Sequence, residues 1–103
     1  MIQLTLDPLN PEEITTGMRS NSNGAVVTFL GTTRDSFEGR KVLRLEYEAY
    51  KDMAIKKLEE VRQEIQDEFT LEDVSICHRI GVVEIGEISL IVVVASPHRK
   101  EAF

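Results

Sequence analysis

The chain has 103 residues, 42% of them apolar and 29% charged, with a formal net charge of −6. That length is one domain with a single core, and the acidic balance argues against a general nucleic-acid binder, which would present a basic face. The longest apolar run is far short of a membrane span, the opening residues lack the basic-then-apolar order of a secretory signal, and the lone Cys77 leaves no internal disulfide, so a reducing, cytoplasmic setting is expected.

In chain order, Ile2 to Leu6 alternates apolar and polar and predicts a short strand. LNPEEI follows. Asn10 is a suitable N-cap, Pro11 a first helical residue, and Glu13 completes a capping-box arrangement, with Leu9 and Ile14 placed as a hydrophobic staple. This helix should stop near Arg19. Gly24 to Gly31 (GAVVTFLG) predicts a second strand, apolar at most positions and therefore central in a sheet. Its polar exit carries Thr32, Thr33 and Arg34, at a strand end where ligand groups are often found. Taken alone, Arg34 reads as a surface ion pair with Asp35 or Glu38.

Val42 to Tyr50 alternates, with Leu43, Leu45, Tyr47 and Ala49 on one face, and predicts a half-buried strand. Glu46 and Glu48 on the other face read as solvated carboxylates. Asp52 to Glu68 predicts a long helix: Ala54, Leu58, Val61, Ile65 and Phe69 recur at spacings of four, three, four and four, one stripe facing a sheet. Val74 to Ile80 alternates again. His78 shares the apolar side and reads as a hydrogen-bonded core or interface residue. Cys77 shares its face with Arg79, which would favour a thiolate, although a strand cysteine is more often a packing residue. Gly81, and then EIGE at 84–87, predict a bend and a hairpin turn.

Ile88 to Ala95 is apolar on both alternating faces, as a strand buried on both sides would be. Ser96 then reads as an N-cap and Pro97 as the first residue of a third helix, which puts His98, Arg99 and Lys100 in its first turn. Cations are unfavourable there unless something answers them. Two readings stand side by side: an anion such as a phosphate or carboxylate held at that turn, or three solvated side chains. The chain stops about two turns into this predicted helix, so a domain that continues past Phe103 and a simple frayed stub are both open. The element order gives an α+β class, a mostly antiparallel sheet with helices packed on it.

GAVVTFLGTTRDSFEGRKVLRLEYEAY, HRIGVVEIGE and SPHRKEAF together resemble the catalytic (large) subunit family of molybdopterin synthase, from Gly24 to Phe103. The specific parts are the F-x-G-x-x-R at a strand exit and the S-x-H-R at a strand-to-helix junction. The resemblance implies a hammerhead-like α+β fold. It implies a sulfurtransferase that places two sulfurs on cyclic pyranopterin monophosphate (precursor Z) to make molybdopterin in molybdenum cofactor biosynthesis. The sulfur would come as a C-terminal Gly-Gly thiocarboxylate on a small ubiquitin-like carrier subunit, in a heterotetramer built on a homodimer whose second protomer can complete the pocket. Carried over residue by residue, it implies Thr32, Thr33, Arg34, His98 and Arg99 as substrate-binding residues, with Phe29 lining the pocket. The lysines that the family uses for chemistry would lie beyond Phe103, so the resemblance assigns no catalytic residue here.

The resemblance adds a use for the charges: the substrate carries a phosphate, which Arg34 and Arg99 could each hold in a bidentate manner, and His98 could bond the substrate or shuttle a proton. The two cationic stretches form one pocket if the strands before them lie close in the sheet. No cofactor is expected, and two histidines without a second cysteine or an HxxH spacing make a zinc site improbable. Three other readings compete: a non-catalytic phosphate-binding or dimerisation module, a phosphoester hydrolase using His98, and a persulfide carrier at Cys77.

Overall fold

The computed structural model describes residues 1–34 and 51–103 in full, and residues 36–37, 40–41 and 44–47 as backbone. The elements are β1 (Ile2–Thr5), α1 (Pro11–Met18), β2 (Ala25–Thr32), β3 (Ser36–Phe37), β4 (Arg40–Lys41), β5 (Arg44–Tyr47), α2 (Lys51–Phe69), β6 (Asp73–Arg79), β7 (Gly81–Glu84), β8 (Ile88–Ser96) and α3 (Arg99–Ala102). The class is α+β, as the element order implies.

The apolar run that forms β8 lies inside a four-stranded sheet of order β1-β6-β8-β2. β8 is antiparallel to both β6 and β2, and β1 is parallel to β6. The two faces of β8 are not equivalent. Ile91, Val93 and Ala95 are fully buried against Met18 of α1 and Cys77 of β6, with Leu9 and Ile14 packed on the same cluster. Full burial of Ile91 or Val93 stabilises the fold by roughly 1.5–3 kcal/mol each. On the other face, Leu71, Val74 and Ile76 form a second cluster with Leu58 and Ile65 of α2. α2 lies over β1 and β6, so Leu90, Val92 and Val94 are only half-buried on that side.

The N-terminal helix begins as its sequence signals dictate: Asn10 is extended, its Oδ1 accepts the Glu13 N–H at 3.2 Å, and Pro11 opens the helix. α2 keeps the expected stripe half-buried at Ala54, Leu58, Val61 and Ile65, although Phe69 at its end is exposed.

Three expectations are corrected. β2 is an outer strand among the described residues rather than a central one, and Phe29 and Leu30 are 58% and 42% exposed. Its apolar content is that of an inner strand, but strand order is set by long-range pairing, and β8 takes β6 on its other side. Second, the segment between the Gly81 bend and the 84–87 turn is itself a strand, β7, which pairs with β5 rather than with its sequence neighbours. Third, the last helix starts later than predicted, as described below. The face assigned to Leu43, Leu45, Tyr47 and Ala49, the Glu46/Glu48 pair, and any pairing of Arg34 with Asp35 or Glu38 lie outside what is described.

Candidate functional site

The two cationic stretches of the sequence lie at the exits of β2 and β8. At the first exit the register slips between Gly31 and Thr32, so that Gly31 faces Leu90 and Thr32 faces Ile88. Ser89 Oγ donates to the Gly31 carbonyl at 3.3 Å beside this slip. Thr33 is then clasped from both sides by the turn before β8: its N–H donates to the Glu87 carbonyl at 3.1 Å, and its carbonyl accepts the Gly86 N–H at 2.9 Å. Gly86 holds φ at +83°, a conformation that favours glycine. Thr33 is therefore buried, and its Oγ1 has no partner among the described residues. Thr32 and Arg34 on either side of it are exposed.

The turn is anchored by charge. Arg79 Nη1 donates to Glu87 Oε2 at 2.6 Å, and the Glu84 N–H donates to Glu87 Oε1 at 2.9 Å. The Glu84 N–H first, and Arg79 next, hold the Glu87 carboxyl below the usual glutamate range. The sequence places Glu87 at the end of a turn and Arg79 beside Cys77 but gives neither a role at the site; the signal available was the Gly-Glu at the end of the predicted hairpin turn. Cys77, on the same face of β6 as Arg79, is fully buried, and burial pushes its thiol up rather than favouring a thiolate. Packing is its role here. His78 is half-buried, with Nδ1 at 2.7 Å from the Arg79 carbonyl.

At the second exit β8 runs one residue further than predicted, through Ser96, which pairs with Ala25. Ser96 Oγ accepts the His98 N–H at 3.3 Å, a local turn that replaces a helix cap. His98 is extended and occupies the N-cap position without a side-chain cap bond among the described residues. The helix that follows is one turn, Arg99–Ala102, closed by the Phe103 N–H on the Arg99 carbonyl and pinned by buried Ala102. The helix therefore starts at Arg99, two residues later than predicted, so His98 precedes it rather than standing in its first turn. What the turn presents is the exposed side chains of His98, Arg99 and Lys100. Gly24 makes their placement possible: a Cβ there would stand 2.3 Å from the Pro97 carbonyl oxygen.

The strands before the two exits are neighbours, as a shared pocket would require, but they are antiparallel. Thr32 lies opposite Ile88, and Ala25 opposite Ser96. Arg34 and the His98–Arg99 pair therefore stand at opposite ends of an eight-residue strand, a separation of about 25 Å at ~3.3 Å per residue. One chain does not bring them together. Phe29 lies between the two ends, on the outer strand, opposite Val92. A depression of about 500 Å³ lies elsewhere, between β1 and α1, and its lining includes Asp7, Glu13 and Asp73 but none of the predicted site residues. That acidic lining does not suit a phosphate. No helix among the described residues is long and apolar enough to cross a membrane.

The family described as MoaE protein matches residues 4–103. Curated relatives called molybdopterin synthase catalytic subunit include one from Bacillus subtilis, 41% identical over 101 residues, and one from Pyrococcus abyssi, 48% identical over 97 residues. They match 98% and 94% of this chain, which spans 64% and 66% of their length. Among solved structures, a molybdopterin synthase from Staphylococcus aureus superposes with a TM-score of 0.90 at 39% identity, covering 97% of this chain and 73% of that one. A MoaE protein from Burkholderia ambifaria superposes with a TM-score of 0.89 at 29% identity, covering 99% and 67%. A complex of subunits 1 and 2 of molybdopterin-converting factor from Helicobacter pylori shares the fold, with a TM-score of 0.78 at 20% identity over 98% and 68%. A family match across residues 4–103, with relatives above 40% identity along nearly the whole of it, carries one conclusion: this chain belongs to the MoaE protein family.

Proposed function

We propose that this chain acts as a molybdopterin synthase catalytic subunit, a sulfurtransferase in molybdenum cofactor biosynthesis that converts cyclic pyranopterin monophosphate to molybdopterin in the cytoplasm. The observation that carries this is the run of relatives named for that activity, 41–48% identical along nearly the whole chain. The sulfur donor is a thiocarboxylate at the C-terminal Gly-Gly of a small ubiquitin-like carrier subunit. The two-subunit Helicobacter pylori complex supports a partnership of that kind. The thiocarboxylate sulfur attacks a side-chain carbon of the pterin as that carbon's C–O bond to the cyclic phosphate breaks, the phosphate leaving as the ring-opened monoester; water then cleaves the resulting thioester, leaving the sulfur on the pterin and releasing the carrier as its carboxylate.

In this reading Arg34 and Arg99 hold the substrate phosphate, His98 bonds the substrate or carries a proton, the exposed Thr32 and Phe29 line the pocket, and the buried Thr33 sets the strand exit behind Arg34. The separation of about 25 Å along the strand then calls for a second protomer. A two-fold axis exchanges the ends of an antiparallel ladder, so Arg34 of one protomer meets His98 and Arg99 of its partner, and the reverse. The exposed Phe29 and Leu30 on the outer strand are apolar surface suited to such a contact.

Calorimetry with cyclic pyranopterin monophosphate, paired with a single-turnover assay using thiocarboxylated carrier, tests the reading. Arg34→Ala and Arg99→Ala should each weaken binding by ten- to a hundred-fold, since a bond to a charged group is worth about 1.5–3 kcal/mol. Product in the turnover assay supports the enzyme. Binding without product, in the presence of active carrier, reduces the chain to a phosphate-binding module, and release of inorganic phosphate from simple esters would point to a hydrolase.

A further inference from the structure

The Arg79–Glu87 pair is an expensive way to hold a turn. The Arg79 side chain is only 13% exposed, and its Nε is buried with no partner among the described residues. Glu87 is more open, at 35%, so the desolvation cost falls on Arg79, and an apolar side chain of similar volume in its place would avoid it. What an apolar side chain cannot do is fix both oxygens of Glu87, one on Arg79 and one on the Glu84 N–H. With Glu87 fixed, its carbonyl and the Gly86 N–H are fixed, and these are the two groups that clasp Thr33. The next residue is Arg34.

We infer that Arg79 and Glu87 are positioning residues for Arg34, acting through the Thr33 clasp to fix where its guanidinium is presented. The inference rests on the reading of Arg34 as a phosphate ligand and goes beyond it, because neither residue touches the substrate. Bidentate recognition of a phosphate depends on the direction as well as the charge of a guanidinium, so a loosened strand exit weakens binding even though Arg34 is still present.

The test uses the intact chain and cyclic pyranopterin monophosphate in calorimetry, with amide exchange read at Thr33 and Gly86. Glu87→Gln removes the charge that Arg79 holds. It should accelerate exchange at both amides while leaving Val93 protected, and weaken binding about tenfold, the scale of one charge-assisted hydrogen bond. In combination with Arg34→Ala it should bind no more weakly than Arg34→Ala alone, because a residue acting through Arg34 has nothing left to position. A purely structural role would not produce that non-additivity. Should Glu87→Gln fail to fold, Arg79→Lys keeps a cation beside Glu87 without the guanidinium fork, and the same comparison with Arg34→Ala applies. Wild-type binding by the folded variant, while Arg34→Ala binds weakly, overturns the inference and leaves the site reading intact; so does an additive double variant. Wild-type binding by Arg34→Ala itself removes the site reading and the inference with it.

Discussion

At the scale of single residues, two glycines behave in opposite ways, and the reason is what lies around them. Gly24 faces the Pro97 carbonyl oxygen at 2.3 Å from a would-be Cβ, a backbone atom that cannot rotate away. Gly24→Ala should cost about 1–3 kcal/mol and displace the turn that carries His98 and Arg99. Gly17, inside α1, has open space around it, and Gly17→Ala should stabilise the chain by roughly 0.5–1 kcal/mol. Urea denaturation of both variants checks the pair, and equal effects would contradict this account. The sequence does not distinguish these two glycines, since the demand on Gly24 comes from a residue near the other end of the chain. Asn10 is legible for the converse reason. Its capping bond reaches only to Glu13, so the local sequence contains the whole device. Cys77 shows the same limit as Gly24: a neighbour two positions along suggested a thiolate, but burial beneath α1 decides that it is a packing thiol.

At the scale of elements, the termination of α2 is the most instructive. The Leu71 N–H donates to the Gln66 carbonyl across the helix end, and Leu71 packs in the same cluster as Ile65. This closure requires a left-handed residue at position 70, and Thr70 adopts φ of +53°. A β-branched residue is strained there. Thr70→Gly should therefore raise stability by about 1 kcal/mol, measured as a shift in the urea midpoint with an unchanged slope. Where periodicity is long, as in α2, the element and its stripe were readable within a residue or so at each end. Where an element is short, the local signals competed. Ser96 has the chemistry of an N-cap, yet pairing with Ala25 extends β8 through it and its hydroxyl serves the His98 N–H instead. β7 was unreadable because four residues between two glycine-containing bends carry no period, and its partner β5 is far away in sequence.

At the scale of the whole molecule, the antiparallel register of β2 on β8 makes a test that a single chain could not offer. Arg34→Ala and Arg99→Ala chains each lack one half of every proposed site. When the two are mixed and allowed to exchange protomers, half of the dimers are hybrids, and in each hybrid one of two sites regains both arginines. Tight binding should return to about a quarter of the sites if the pocket is shared across a two-fold interface. No recovery in a mixture shown to have exchanged would rule out the shared pocket.

The sequence alone determined the kinds of element and the chemistry available: strand, helix and cap signals act over a few residues, and charge is carried by the side chain itself. It therefore supplied an α+β class and the principal strands and helices, while the resemblance to the family singled out the arginines and histidine proposed for the phosphate. Only the tertiary structure decided that β2 is an outer strand, that Thr33 is clasped by the turn anchored on Arg79 and Glu87, and that the two cationic exits face away from each other. These depend on register and strand order, which arise from contacts between residues distant in the chain and leave no periodic trace in it.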